Sequence, residues 1–261
     1  MATTQITKSN SMFTVETGQH SDFWKLYADD SWEKETFKVF DRFVNPSYSC
    51  VDIGAWIGPT VLYMAGKAKK VYAFEPDRQA FADLVNNINL NEQLKPKITL
   101  FDKAVTATAC KMPLYTDNFS GNSISSTIET RHTLSSYEVD GIGVDQLKDL
   151  IDFSDVNLVK VDIEGGEYAL IPRLAEFLGS LNTPPTLYIS LHMPYLFNGG
   201  FLDFAVKIKQ KKEALKLGKT LMDSLKFYNF CYWGSGEEVK NRDQIVRNRD
   251  LCSFVVSQER W

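Results

Sequence analysis

The sequence has few cysteines, and none of them is spaced as a pair. Cys50, Cys110, Cys231 and Cys252 form no C-x-x-C motif, so the usual spacing of zinc sites and redox pairs is missing. We therefore predict reduced thiols in a cytoplasmic protein. A length of 261 residues suits one large α/β domain, which needs no disulfide to be stable.

Long apolar runs and a surplus of positive charge are also missing. No stretch of 18 apolar residues occurs, and the N-terminal residues lack the charged and apolar pattern of a secretory signal, so we expect no membrane span. The formal net charge is -4 and the pI is about 5.5. Because nucleic-acid-binding proteins usually carry a basic surface, we do not expect a nucleic-acid partner.

Residues 50–75 contain the pattern of a strand, a turn, a helix and a second strand. An apolar run over residues 50–53 stops at Gly54, and residues 60–68 then place apolar side chains at helical spacing. Residues 71–74 form the next apolar run, and Glu75 follows it, 23 residues after Asp52. In nucleotide-binding βαβ units an acid about 20 residues beyond the first turn binds the ribose hydroxyls.

The glycine spacing indicates which nucleotide this unit would bind. The dinucleotide motif G-x-G-x-x-G would need glycine at positions 56 and 59, where this chain has Trp56 and Pro59, so NAD and FAD are disfavoured. The pattern Asp52-x-Gly54-x-x-x-Gly58 is instead the turn of methyltransferases that bind S-adenosylmethionine. An ordinary glycine bend between a strand and a helix is the alternative.

A second informative stretch, NLVKVDIEGGE, covers residues 157–167. It alternates apolar residues with Lys160, Asp162 and Glu164, and charges are costly to bury without a partner. We therefore place these three side chains at the end of a strand, facing the cofactor pocket. An ion pair between Lys160 and Asp162 with a purely structural role is the alternative. Gly165 and the glycine after it would allow a tight turn into the next helix.

Two more polar residues follow predicted strands. His192 ends the apolar run over residues 186–191, which would put it at the same sheet edge as Asp162. Asp102 follows a strand over residues 97–101, and together with nearby Ala104 it is a candidate for contacts to an adenine ring. Each of these two polar residues has a structural or solvated role as its alternative.

The N-terminal part, residues 1–45, is predicted as a separate helical or lid segment before a methyltransferase domain over residues 46–261. Residues 1–20 are polar and either loosely held or folded over a neighbour. Residues 22–44 are aromatic and helical, with Ser31 as a plausible N-cap. This segment either covers the cofactor site or packs against the sheet. In the first case three side chains face the site: Tyr27, Trp32 and Glu33.

A change of composition marks a predicted β insertion over residues 110–145. Two β-like stretches, residues 111–115 and 137–144, flank a polar loop whose Asn122, Ser123 and Ser125 are candidates for ligand contacts. Near the end of the chain, residues 227–233 and 251–257 are predicted as an antiparallel pair that completes the sheet.

The motifs VDIGAWIG, AFEPD and LVKVDIEGGE, a strand ending in histidine, and the preceding SWEKET together resemble FkbM-type S-adenosylmethionine-dependent methyltransferases over residues 32–194. One departure is Trp56-Ile57, where the family usually has a small residue. The resemblance implies a class I methyltransferase fold. This is a Rossmann-like, seven-stranded, mostly parallel sheet with helices on both faces and a terminal antiparallel strand.

The resemblance also implies methyl transfer to a hydroxyl group, here expected on a sugar of a glycan, glycolipid or nucleotide sugar. The predicted catalytic residues are His192 or Asp162 as base, with Glu164 and Lys160 orienting the base or the acceptor. A divalent cation held by Asp162 and Glu164 is a second version. The predicted cofactor-binding residues are Asp52, Gly54, Trp56, Gly58, Glu75, Pro76, Asp102, Ala104 and Asp162.

Two alternatives to this function stay open. One is O-methylation of a non-sugar secondary metabolite, and the other is a domain that binds the cofactor without catalysis and acts as a scaffold. The sequence predicts no oligomeric state.

Overall fold

The computed structural model describes residues 2–9, 11–116, 125–129, 133–196, 204–248 and 250–261, without the side chains of residues 195–196 and 204–208. The predicted ligand contacts of Asn122 and Ser123 lie outside this range. No helix in these residues is both long and apolar enough to span a membrane.

Twelve strands are formed by the described residues. In chain order they are β1 (Thr3–Lys8), β2 (Ser11–Glu16), β3 (Ser49–Ile53), β4 (Lys70–Phe74), β5 (Ile98–Phe101), β6 (Ala104–Thr106), β7 (Cys110–Thr116), β8 (Ser135–Gly143), β9 (Val156–Val161), β10 (Thr186–Leu191), β11 (Phe230–Trp233) and β12 (Cys252–Ser257).

The main helices among the same residues are α1 (Ser21–Ala28), α2 (Lys34–Phe43), α3 (Pro59–Ala65), α4 (Arg78–Asn89), α5 (Val144–Leu150), α6 (Glu167–Gly179), α7 (Phe204–Ser224) and α8 (Asp243–Arg247).

The central sheet has seven strands in the order β11-β12-β10-β9-β3-β4-β5. All pairs are parallel except those of β12, which runs antiparallel to both β10 and β11. All five residues of β3 are buried, as expected for a parallel strand covered on both faces. The predicted class I methyltransferase architecture is confirmed, including the antiparallel pair near the end of the chain.

Two apolar clusters cover the two faces of this sheet. One contains Phe40, Leu62 and Leu84, from α2, α3 and α4. The other contains Leu147 and Leu174, from α5 and α6, together with residues of α7 and α8. Every strand of the sheet therefore contributes to a closed core, and its polar side chains collect at the strand ends.

The N-terminal segment folds as a hairpin followed by two helices. Residues of β1 and β2 form an antiparallel hairpin that buries Phe13 and Val15, so of the two alternatives for the first residues they fold over their neighbours, in a hairpin that the sequence did not predict. The aromatic stretch forms two helices instead of one. Ser31 does not cap α2, because Glu33 takes the N-cap position with φ 40° and ψ 50°, in the left-handed region.

The predicted β insertion is confirmed, with one addition. β7 pairs antiparallel with β8 over the whole length of β7, and β6 joins β8 in parallel to make a three-stranded sheet. The polar sequence around Asp102 gave no sign of this third strand.

Candidate functional site

A cavity of about 1160 Å³ opens at the carboxyl edge of the parallel strands. Nine of the predicted site residues line it: Gly54, Trp56, Glu75, Pro76, Ala104, Lys160, Asp162, Glu164 and His192. Three others do not reach it. Asp52 is completely buried beneath the turn after β3 that contains Gly54, which we call the glycine turn. Gly58 lies against Leu84, and Asp102 is an exposed loop residue.

The turn after β3 needs glycine at position 54 because two strands end close together there. Gly54 has φ +90°, and a Cβ atom on it would lie 1.8 Å from the carbonyl oxygen of Asp162. Trp56 also has a positive φ, 48°, which is unusual for a bulky residue. Its backbone N–H donates to Glu75 Oε2 at 2.8 Å, so the turn is fixed to the end of β4.

Glu75 is held between two backbone donors. Besides the Trp56 N–H, its Oε1 accepts from the N–H of Asp77 at 2.8 Å. Burial raises the pKa of Glu75 to about 7, although these two hydrogen bonds favour the ionised form. The carboxyl group has a fixed orientation at the cavity wall, at the position predicted for the ribose ligand.

Lys160 and Asp52 form a buried ion pair under the turn. Lys160 Nζ lies 3.1 Å from Asp52 Oδ1, 3.3 Å from Asp162 Oδ2 and 3.2 Å from the carbonyl oxygen of Gly54. Burial lowers the pKa of Lys160, but Asp52 and Asp162 outweigh it and hold the amine charged. Thr60 Oγ1 donates to the other oxygen of Asp52. Lys160 therefore joins β3 to β9 and also orients Asp162.

His192 lies among three carboxylates at the end of β10. Its Nδ1 is 2.8 Å from Glu167 Oε1, and its Nε2 is 3.5 Å from Asp162 Oδ1 and 3.4 Å from Glu164 Oε2. Burial by itself lowers the pKa of His192. The hydrogen bond and charge of Glu167, with Asp162 and Glu164, outweigh burial and raise this pKa to about 10. The ring therefore carries two protons at neutral pH.

Glu167 is a site residue that the sequence interpretation missed. Its side chain is completely buried and accepts from His192, from the N–H of Ile163 at 3.1 Å and from the N–H of Gly165 at 3.0 Å. It thus fixes the turn after β9, where Glu164 and Gly165 have φ 54° and 102°. An acid in the first turn of a helix that directly follows a glycine pair was the available signal.

The side chains of Asp162, Glu164 and His192 form a group that can hold a metal ion. One ligand atom from each of Asp162, Glu164 and His192 lies within 4.8 Å of the other two. The sequence interpretation had named only the two carboxylates. Glu167 on the far ring nitrogen of His192 is the type of partner that orients histidine ligands.

The lid alternative named three side chains, and the structure places two of them at the cavity. Trp32 and Glu33 line the cavity, whereas Tyr27 is fully buried and donates from its hydroxyl group to the carbonyl oxygen of Pro59 at 3.0 Å. Ser125 of the insertion also lines the cavity, where its hydroxyl group donates to Asp77 Oδ2 at 2.7 Å.

Comparison with solved structures gives several similar proteins. Methyltransferase FkbM from Methylobacillus flagellatus KT has 19% identity and a TM-score of 0.43, covering 80% of this chain and 43% of that one. A putative rRNA methylase from Clostridium thermocellum has 13% identity and a TM-score of 0.47, covering 86% and 93%. A putative methyltransferase from Streptococcus mutans, in complex with SAH, has 11% identity and a TM-score of 0.44, covering 85% and 95%.

No curated protein matches this chain. A family model does: the methyltransferase FkbM domain aligns with residues 52–208, which is more than half of the sequence and includes the glycine turn, Glu75, Asp162, Glu164, Glu167 and His192. The chain belongs to the FkbM methyltransferase family.

Proposed function

We propose that this protein transfers a methyl group from S-adenosylmethionine to a hydroxyl oxygen of a sugar, in a glycan, glycolipid or nucleotide sugar. One observation carries this proposal. His192 and the carboxylates of Asp162 and Glu164 lie on the wall of the same cavity as the glycine turn and Glu75. Proton-accepting groups and a nucleoside-binding edge therefore share one site within a methyltransferase family.

The residues present fit the cofactor. A Cβ atom at Gly54 would collide with the backbone of Asp162, so the close approach of backbone to the cavity depends on glycine here. Glu75 offers carboxyl oxygens to ribose hydroxyl groups, and Pro76 and Ala104 border the cavity beyond it. When bound, S-adenosylmethionine would supply an activated methyl group.

The cavity wall supports an acceptor that is not a polyanion. Among the described residues that line it are six carboxylates, at Glu33, Glu35, Glu75, Asp162, Glu164 and Glu237, and three lysines. One of these lysines, Lys160, is already neutralised by Asp52 and Asp162. Phe23, Trp32 and Trp56 add aromatic surface, on which the apolar face of a sugar ring can pack. These features favour a free sugar hydroxyl over RNA.

The residues around His192 provide for the proton that leaves the acceptor oxygen. We assign proton acceptance to the carboxylate of Asp162, and we assign to the charged His192 ring, whose Nε2 lies 3.5 Å from Asp162 Oδ1, the role of orienting this carboxylate. Glu167 fixes the ring from behind, and Lys160 fixes Asp162 from below. A positioned base of this type contributes about 100- to 10,000-fold to a rate.

The cluster of Asp162, Glu164 and His192 favours a second version, in which a divalent cation binds the acceptor hydroxyl and acidifies it. Exhaustive treatment with EDTA followed by an activity assay separates the two versions. Full activity after chelation removes the metal version, and activity that returns only with Mg²⁺ or Mn²⁺ removes the metal-free base.

The experiment that tests the function is a transfer assay with radiolabelled S-adenosylmethionine and a panel of free sugars, glycolipids, nucleotide sugars and RNA. We expect label on sugar hydroxyl groups, and a loss of at least about 100-fold in His192→Ala. Near-normal turnover in that variant would remove His192 from the assignment. Label on RNA alone would mean that RNA, and not a sugar, is the acceptor.

The cytoplasm remains the predicted compartment.

A further inference from the structure

Three of the carboxylates that line the cavity, at Glu33, Glu35 and Glu237, come from outside the family-matched region. Of these, Glu33 accepts a hydrogen bond from the buried hydroxyl group of Thr36. Glu33 precedes α2, lines the cavity and is exposed to it, whereas the matched region begins at residue 52. Its backbone has φ 40°, a left-handed conformation that costs free energy in a residue other than glycine. Such a conformation persists only where the surrounding contacts hold it.

A buried chain of hydroxyl groups holds the Glu33 side chain in place. Thr36 Oγ1 donates to Glu33 Oε2 at 2.8 Å and lies 2.7 Å from the hydroxyl oxygen of Tyr188. Because the single Thr36 proton goes to the carboxylate, Tyr188 must donate to Thr36. Thr36 and Tyr188 are both 1% exposed, and Tyr188 lies on β10, the strand that leads to His192. The N-terminal segment and the site edge are therefore linked.

The electrostatic surroundings of Glu33 show what this carboxylate can bind. Desolvation in the cavity and the charge of Asp162 raise the pKa of Glu33 to about 7, against the opposing effect of Lys160. The cation Lys160 is already occupied by Asp52, Asp162 and the carbonyl oxygen of Gly54. Two carboxylates that face one cavity repel each other, and a bound cation removes this repulsion.

We propose that Glu33 binds the ammonium group of the cofactor's amino-acid tail, together with Asp162. This inference rests on the proposed use of S-adenosylmethionine. It assigns a cofactor-binding role to the N-terminal segment, which would then complete the cofactor subsite in addition to covering the cavity.

Calorimetric binding of two neutral thioethers to the full chain tests this assignment without an acceptor. S-adenosylhomocysteine carries the amino-acid tail, and 5′-methylthioadenosine lacks it. We expect Glu33→Gln to weaken binding of S-adenosylhomocysteine about ten-fold or more, and to change binding of 5′-methylthioadenosine less than about two-fold. Asp22→Asn is the control, because Asp22 is an exposed carboxylate of the same segment that pairs with Lys25 on the surface.

A second pair of variants tests the hydroxyl chain that holds Glu33. Thr36→Ser keeps the hydroxyl group, and we expect it to bind S-adenosylhomocysteine as the wild type does. Thr36→Val removes that group, and we expect it to weaken the same ligand about three-fold or more while 5′-methylthioadenosine is unaffected. Circular dichroism and thermal unfolding of each variant check that the fold is kept.

The remaining outcomes overturn the inference in distinguishable ways. If Glu33→Gln binds S-adenosylhomocysteine as tightly as the wild type, Glu33 does not bind the tail, and the proposed function stands. If it loses both ligands equally, Glu33 acts on the adenosine or on the fold instead. If the wild-type protein binds neither ligand, the proposed cofactor itself is wrong.

Discussion

Lys160 and His192 are two cationic side chains that share one carboxylate, Asp162, in very different surroundings. Lys160 is 2% exposed and has all its partners within the protein, namely Asp52, Asp162 and the carbonyl oxygen of Gly54. His192 is fixed on one ring nitrogen by Glu167, and its other nitrogen faces the carboxylates at the cavity wall. We infer that the charge of Lys160 holds the strand ends together, whereas that of His192 is available for chemistry.

We expect the largest effect from replacing Lys160, the buried cation. Lys160→Met should lower the free energy of unfolding by about 3–5 kcal/mol, because Asp52 would remain as a buried charge without its partner. Chemical denaturation measures this loss. Lys148→Met, on the exposed side of α5, is the control and should change stability by less than about 0.5 kcal/mol. A loss below about 1 kcal/mol in Lys160→Met would contradict a structural role for the pair.

A second prediction concerns Glu75, whose pKa is raised by burial to about 7 from an ordinary value of 4.5. Between these two values the folded protein binds more protons at Glu75 than the unfolded chain does, so stability falls as pH rises through this window. The contribution is at most about 3 kcal/mol. Glu75→Gln should lack this part of the pH dependence, as measured by denaturation from pH 4.5 to 7.5. Parallel curves for the two proteins would show that Glu75 ionises normally.

We expect the smallest effect from replacing Glu167, the carboxylate that fixes His192. Glu167→Gln removes the carboxylate charge next to Nδ1 of His192, so the pKa of His192 should fall from about 10 by one unit or more, which is roughly 1.4 kcal/mol. NMR titration of the ring protons measures it, with His192→Gln to identify the signal among the three histidines of the chain. Glu176→Gln, exposed on the same helix, is the control. An unchanged titration would mean that Glu167 does not control the ring.

The residues of the site differ in how far the sequence alone could predict their positions. Residues 50–75 lie together in the chain, so their strand, turn, helix and terminal acid were predictable from local pattern alone. The cavity position of Asp162 and His192 was also predictable, because parallel strands end at one edge. The burial of Asp52 was not, since it depends on Lys160, which is 108 residues away.

Glu167 and the N-terminal hairpin were missed for related physical reasons. Glu167 is placed as an ordinary acid in a first helical turn, and only the return of β10 brings His192 to it, across 25 residues. The hairpin is stabilised by side chains far along the chain: Asn91 accepts from the N–H of Thr14 and donates to its carbonyl oxygen. Tertiary contacts of this kind leave no local trace in a polar sequence.

The most direct test of the central claim is calorimetric titration of S-adenosylhomocysteine into the wild-type protein and into Glu75→Ala. We expect the wild type to bind and the variant to lose about ten-fold or more in affinity, because the carboxylate that we assign to the ribose hydroxyl groups is removed. Equal binding by both proteins would contradict the assignment of Glu75. Absence of binding by the wild type would contradict a cofactor site in this cavity altogether.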